Sequence, residues 1–183
     1  VVFHPGSHMN SGEKECINRI AESLNYCFSE RPDSTVKVLL ENTAGQGTNV
    51  GYRFEHLKDI IESVKFSNRL GICFDTQHGF ASGYDIRSES GWLDTFEKFS
   101  DIVGLEWLKA FHINDSKKEL GSRVDRHEKI GKGLLTMETF WCLINDERFE
   151  GIPMLLETPV DNPSDYSNEI KLLRSLKGSK KPK

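Results

Sequence analysis

Five short apolar runs in this chain each stop on a residue able to bind a metal ion. Val1-Val2-Phe3 leads to His4, residues 36–40 to Glu41, 70–74 to Asp75, 108–111 to His112 and 154–156 to Glu157. Short aliphatic runs of this kind read as strands buried on both faces, as in parallel sheets. In α/β proteins the carboxyl ends of such strands line the functional face. His, Asp and Glu gathered there are the donors that zinc and similar ions accept. The pattern predicts an α/β fold with a polynuclear metal site, and therefore an enzyme.

Helical periodicity fills the gaps between the runs. Asn10 is placed to cap a helix, with Glu13 three residues on at capping-box spacing. Ile17, Ile20, Ala21 and Leu24 share one face and carry that helix to about Phe28. Further helices are predicted near 54–64, 92–103 and 137–144. Asn162-Pro163 reads as the N-cap and first residue of a last one. The stretch after Asp75 reads as loop before the 92–103 helix, and 114–132 as a long polar segment. Five βα units result, where eight make a closed (β/α)8 barrel of about 250 residues. Five such units make an open sheet or an incomplete barrel, and the expected organisation is one domain over 1–176, a partial TIM barrel in the second case, with a basic, disordered tail over 177–183. The chain does not begin with Met and its first run starts at once, which suggests the later part of a longer protein.

Composition removes some classes. No apolar stretch approaches the roughly 20 residues of a membrane span, and no signal-peptide pattern appears. The expected location is intracellular: the cytoplasm, or the nucleus in a eukaryote. Cys16, Cys27, Cys73 and Cys142 are scattered and read as buried thiols. The net charge of −4 equals that of four candidate ligands, Glu41, Asp75, Asp125 and Glu157, so the rest of the chain is neutral. Bound cations would turn that face locally positive, so the charge does not exclude DNA.

Two segments carry most of the chemistry. Asp75-Thr-Gln-His78 puts a carboxylate and an imidazole at a strand-to-loop transition. His112-Ile-Asn-Asp-Ser-Lys117 is followed by Gly121-Ser-Arg-Val-Asp-Arg-His127, where Asp125 and His127 fall on the same side of an extended segment. Arg123 and Arg126 beside them suit phosphate oxygens. Glu41 is a candidate bridging carboxylate, and His4 a candidate ligand. His8 reads as an ordinary loop residue and His56 as a helix-surface residue. The Gly45-Gln-Gly47 loop lacks the Gly-Lys-Ser/Thr ending of a P-loop.

Taken together these residues resemble the endonuclease IV family of zinc-dependent apurinic/apyrimidinic endonucleases, over its carboxyl-terminal two-thirds. The matching segments are Phe3-His-Pro-Gly-Ser-His8, Leu40-Glu-Asn-Thr-Ala-Gly-Gln-Gly47, Gly71-Ile-Cys-Phe-Asp-Thr-Gln-His78, the two segments spanning His112 to His127, and Pro153-Met-Leu-Leu-Glu-Thr158. The resemblance implies a (β/α)8 barrel with three zinc ions at its strand ends. Glu41 would bridge the first two ions, with His4 on the first. Asp75, His112 and Glu157 would complete the second, and His78, Asp125 and His127 would hold the third. Glu41 and Glu157 would carry the catalysis, and Arg123 and Arg126 would contact DNA. The implied reaction is hydrolysis of the phosphodiester 5′ to an abasic site in double-stranded DNA, a step of base-excision repair. Gln77 stands where many relatives have Cys, at a position that is not a ligand. The family's earlier βα units, with another histidine of the first zinc and loops that enter the minor groove, precede the point where this chain starts. That segment, or another chain, is an expected partner.

Two other readings fit some of the same residues. A metal-dependent sugar isomerase or epimerase on a similar barrel explains the strand-end ligands but needs neither Asp125 and His127 nor the two arginines. A catalytically incomplete zinc-binding fragment explains the absent upstream histidine.

Overall fold

Each of the five apolar runs lies parallel to the next in one sheet, in chain order. The computed structural model describes residues 1–182. Its elements are β1 (Val2–Phe3), α1 (Glu13–Ser29), β2 (Val38–Glu41), α2 (Phe54–Ser63), β3 (Leu70–Asp75), α3 (Thr76–Ser82), α4 (Glu89–Ile102), β4 (Leu108–Ile113), β5 (Asp115–Ser116), β6 (His127–Glu128), α5 (Met137–Asn145), β7 (Met154–Leu156) and α6 (Tyr166–Leu176). The sheet runs β1-β2-β3-β4-β7. Its register sets Glu41 beside Cys73 and Asp75 beside His112. The strand-end residues therefore sit level along one rim. Parallel strands joined by helices form a partial (β/α)8 barrel, as expected.

The core lies where helices cover the sheet. Phe74 of β3 and Phe111 of β4 meet Phe96 of α4 at 5.0 and 6.0 Å between ring centroids. Phe149 closes the cluster at 4.7 Å from Phe96 and 5.0 Å from Phe111. Edge-on and tilted rings at these spacings add to what burial alone contributes. Gly79 of α3 lies against this cluster, and a Cβ there would stand 2.6 Å from the Phe74 ring.

The sheet ends on two open edges among the described residues, β1 and β7. Val1 is 77% and Leu155 47% exposed. Apolar grooves flank both: Phe3, Ile20 and Leu24 at one end, Ile113, Leu156 and Ile170 at the other. Strands of a buried type with no neighbour invite pairing with further chain.

Several elements depart from the sequence reading. α1 starts at Glu13 with Gly12 before it, so Asn10 is not its cap. Asn10 instead sits at φ 71° in a turn that Ser11 closes by donating its N–H to the His8 carbonyl. The stretch after Asp75 begins with α3 rather than loop, because the Asp75 side chain caps that helix. α4 starts earlier than expected, at Glu89, where Ser88 accepts from the Gly91 N–H. Residues 114–132 contain the short antiparallel pair β5–β6. Pro163 opens a 3-10 turn ahead of α6, held by an Asn162–Asp165 capping box. Cys27 is exposed, unlike the other three cysteines.

The basic tail makes contacts as far as Lys181. Gly178 donates its N–H to Asn145 (2.7 Å), the Trp141 indole donates to the Ser179 carbonyl (2.9 Å), and Lys181 pairs with Glu89 (2.9 Å). Lys183 lies outside the described residues. No helix of the described chain is long and apolar enough to cross a membrane.

Candidate metal centre

Glu41 is the hub of the rim. It ends β2, is 4% exposed, and turns its carboxylate toward three histidines. Oε1 lies 2.8 Å from His112 Nδ1 and 3.4 Å from His78 Nδ1, and Oε2 lies 3.5 Å from His4 Nε2. On the far side, Glu157 Oε2 stands 2.9 Å from the same His112 nitrogen. Donor atoms of Glu41, Asp75, His112 and Glu157 all fall within 4.8 Å of one another, as do those of His4, Glu41 and His78.

A second focus forms where β6 returns to the rim. His78 Nε2 lies 3.2 Å from Asp125 Oδ2 and 3.4 Å from His127 Nε2, while His127 Nε2 lies 3.5 Å from Asp125 Oδ1. Four donors placed tetrahedrally about 2.1 Å from a zinc ion stand about 3.4 Å from one another. The contacts of this triangle, one Asp125 oxygen to each histidine and the two Nε2 atoms to each other, fall in that range. The far nitrogens are already engaged. His78 Nδ1 is 2.9 Å from the Asn42 carbonyl, and His127 Nδ1 is 3.2 Å from the Glu157 carbonyl. Each Nδ1–H donates there, which leaves both Nε2 lone pairs facing one point. Backbone acceptors of this type fix the tautomer of metal-ligating histidines. His78 Nδ1 is thus shared between the Asn42 carbonyl and Glu41 (3.4 Å), while its Nε2 faces Asp125 and His127.

The protons of the site behave as placeholders for cations. Burial opposes charge on His112, yet its contacts with Cys73, Glu157 and Glu41 push its pKa up to about 12. Burial likewise opposes charge on His78, and the carboxylates of Asp75 and Asp125 raise it well above the usual histidine range. Burial would raise the Glu41 carboxyl, but bonds from His112, His4 and His78 hold it well below the ordinary range. His78 lowers the Asp125 carboxyl in the same way. Such a site favours positive charge, and a divalent ion competes with those protons for the same lone pairs. By donor type and spacing the residues fit zinc.

The rim is braced by residues to which the sequence reading assigns no role in the site. Asn42 bonds Asp75 from both ends, accepting from its N–H at 2.6 Å and donating to its carbonyl at 3.1 Å. Asn114 donates to Asp75 Oδ2 at 2.6 Å and accepts from the Glu157 N–H at 3.1 Å. Both follow a strand end closely, the only available signal. Gln77, buried in α3, donates to the Val124 carbonyl at 3.1 Å, just before Asp125. His56 is not the helix-surface residue expected. It is 1% exposed, accepts from the Gly51 N–H at 3.2 Å, and burial lowers its pKa.

Arg123 and Arg126 lie on the Asp125 loop at its surface, with no ion pair among the described residues. Arg123 has φ 53° and lays its guanidinium 4.1 Å over the Tyr52 ring. His8 is a half-buried loop residue whose N–H bonds the Thr48 carbonyl.

Fold and rim together define an α/β barrel protein with a dense His/Asp/Glu face at its strand ends. The chain belongs to the endonuclease IV family, whose AP endonuclease 2 model, described as a xylose isomerase-like TIM barrel, matches residues 1–176. A relative described as probable endonuclease 4 from Citrifermentans bemidjiense is 52% identical over 177 residues, covering 96% of this chain and 62% of its own. The protein of the same description from Campylobacter curvus is 48% identical over 180 residues, covering 98% and 62%. Endonuclease IV from Thermus thermophilus superimposes with a TM-score of 0.81 at 33% identity, over 96% of this chain and 60% of that one. A D-tagatose 3-epimerase-like protein shares the fold alone, at 21% identity and a TM-score of 0.72. The chain thus spans about 62% of the length of the curated relatives.

Proposed function

We propose that this chain supplies most of the catalytic face of a DNA-repair endonuclease that hydrolyses the phosphodiester 5′ to abasic sites with a trinuclear zinc centre. The observation that carries the reading is the triangle of His78, Asp125 and His127 at tetrahedral spacing beside the Glu41–Asp75–His112–Glu157 cluster. His4 and Glu41 would hold the first ion. Glu41, Asp75, His112 and Glu157 would hold the second. His78, Asp125 and His127 would hold the third.

Bound zinc supplies water activation near neutral pH and charge neutralisation at the phosphate. The chain's own residues do the rest. Glu41 spans two ligand groups and sets the spacing between them. Glu157 reaches the same cluster from the β7 end. Arg123 and Arg126, at the surface beside the site and without ion pairs among the described residues, would hold phosphate oxygens. An abasic nucleotide has no base to unpair, which lowers the cost of turning it out of the duplex and gives one source of selectivity.

The test is incision of a duplex carrying one tetrahydrofuran abasic analogue, with zinc present and EDTA as control. EDTA-sensitive cutting 5′ to the analogue supports the reading; zinc loading without any such cutting, in a protein with a complete barrel, contradicts it. A sugar isomerase would have no use for the Asp125–His127 focus or for two unpaired arginines, which makes that reading weaker. For the 183-residue chain alone the open edges at β1 and β7 favour a zinc-binding unit that cuts only when further βα units close the barrel.

A further inference from the structure

Asp115 is fully buried and forms no ion pair among the described residues. Burying an unpaired carboxylate is costly unless hydrogen bonds replace its water. Here four backbone N–H groups do so. Oδ1 accepts from Ser116 at 2.7 Å and Leu135 at 2.9 Å. Oδ2 accepts from Gly131 at 3.0 Å and Gly133 at 2.9 Å. Three of these donors lie on the segment that follows β6, so the carboxylate ties the return arm of the loop to its start.

What hangs from that tie is the pair Asp125 and His127. β5 and β6 pair only Asp115 with Glu128 and Ser116 with His127. A ladder that short does not hold itself in water. One more backbone bond, Lys117 N–H to the Arg126 carbonyl at 3.0 Å, extends it. Beyond it the loop is held by backbone bonds, Gly121 N–H to the Phe80 carbonyl (3.1 Å), Arg123 N–H to the Ala81 carbonyl (2.9 Å) and Leu134 N–H to the Ser116 carbonyl (2.8 Å), and by side chains: Gln46 at the Asp125 N–H, Gln77 at Val124, Asp115 at 131–135, and Glu169 of α6, which accepts from the Ile130 N–H at 2.8 Å. The fit at Asp115 leaves no slack, since a Cβ on Gly133 would collide with the Asp115 carboxylate and the Ser116 carbonyl.

We propose that Asp115 is a positioning residue for the third metal site: it bonds no ligand side chain, and its four accepted bonds fix the return arm that carries His127 and, with the ties of Gln46 and α3 to the other arm, the place of Asp125 and His127 relative to His78. The inference rests on the zinc reading above. Asn has the same shape as Asp, but its amide would turn two N–H donors toward backbone N–H donors. That repulsion frees one arm of the loop without emptying the pocket.

The test is a zinc titration against a chromophoric chelator, comparing the unaltered protein with Asp115→Asn, His127→Ala and the double variant. Loss of an outer support of a metal site costs about tenfold to a hundredfold in affinity. Asp115→Asn is expected to weaken one zinc site by that factor and to leave the remaining binding within about twofold. In the His127→Ala background it is expected to add no further loss, because the site it serves is already gone. Gly133→Ala, which keeps the carboxylate but crowds it, is expected to weaken the same site and carries the comparison should Asp115→Asn not fold. Unchanged zinc binding in both variants overturns the positioning role while the zinc reading stands. Equal weakening of every site overturns it as well, by showing a merely structural role. If the unaltered protein binds no zinc that His127→Ala removes, the third site and its anchor fall together.

Discussion

Nε2 of His78 lies 3.2 Å from Oδ2 of Asp125, although one residue sits in the helix behind β3 and the other in a loop beyond β4. The contact joins two halves of the rim, and the third metal site stands or falls with it. Replacing Asp125 with Asn keeps the shape and removes the charge. The expected outcome is one fewer zinc ion retained after dialysis against a weak chelator, read by atomic absorption. Full retention would exclude Asp125 as a ligand.

Glu41 faces His4, His78 and His112 at once. In a protein with the complete barrel, Glu41→Gln is expected to lower abasic-site incision by about a hundredfold or more, because under the proposed mechanism it removes the charge that would hold the metal pair activating the nucleophile. Near-normal cutting by that variant would overturn the mechanism.

Arg126 is exposed beside Asp125, where its guanidinium donates to the Asp125 carbonyl at 2.5 Å, and it forms no ion pair among the described residues. Arg126→Ala is expected to weaken duplex binding uniformly across sequences. The slope of log K against log salt should flatten by about 0.9, the value of one lost phosphate contact. Fluorescence anisotropy at several salt concentrations reads both effects, and an unchanged slope would remove Arg126 from the interface.

Asp146 gives a pH test of stability away from the metal rim. Burial would raise its carboxyl, but bonds from Arg148 and from the Trp92 indole (2.9 Å) outweigh this and hold it below the usual range. An unfolded aspartate titrates near about 3.9. A depressed folded value means the stabilisation is present above that pH and is lost as pH falls through the folded value. Asp146→Asn is expected to cost about 1–3 kcal/mol at pH 7 and progressively less below about pH 4. Urea melts at both pH values check it; a pH-independent cost would assign the effect to packing.

The strand order and the rim are legible in the sequence because five of the candidate ligands each end an apolar run, and such runs have few alternatives to a buried parallel strand. The helix α3 is not legible. Its start depends on the Asp75 side chain accepting the His78 N–H at 2.8 Å, so one residue that looks only like a ligand is also a cap. His56 misleads because its neighbours Glu55 and Lys58 are polar, while Gly51 and Glu13, which satisfy its ring, come from other segments. Asp115 escapes notice for the same reason: its partners lie up to Leu135, and nothing local marks a carboxylate whose acceptors are spent on backbone.

The most direct test of the zinc centre is an anomalous difference map at the zinc edge, from crystals of the protein grown with zinc. The expected map has one peak within about 2.0–2.2 Å of His78 Nε2, Asp125 and His127 Nε2, and a second within that distance of Glu41, Asp75, His112 and Glu157. A map with zinc bound elsewhere and no peak at either place would contradict the assignment of this face as a metal centre.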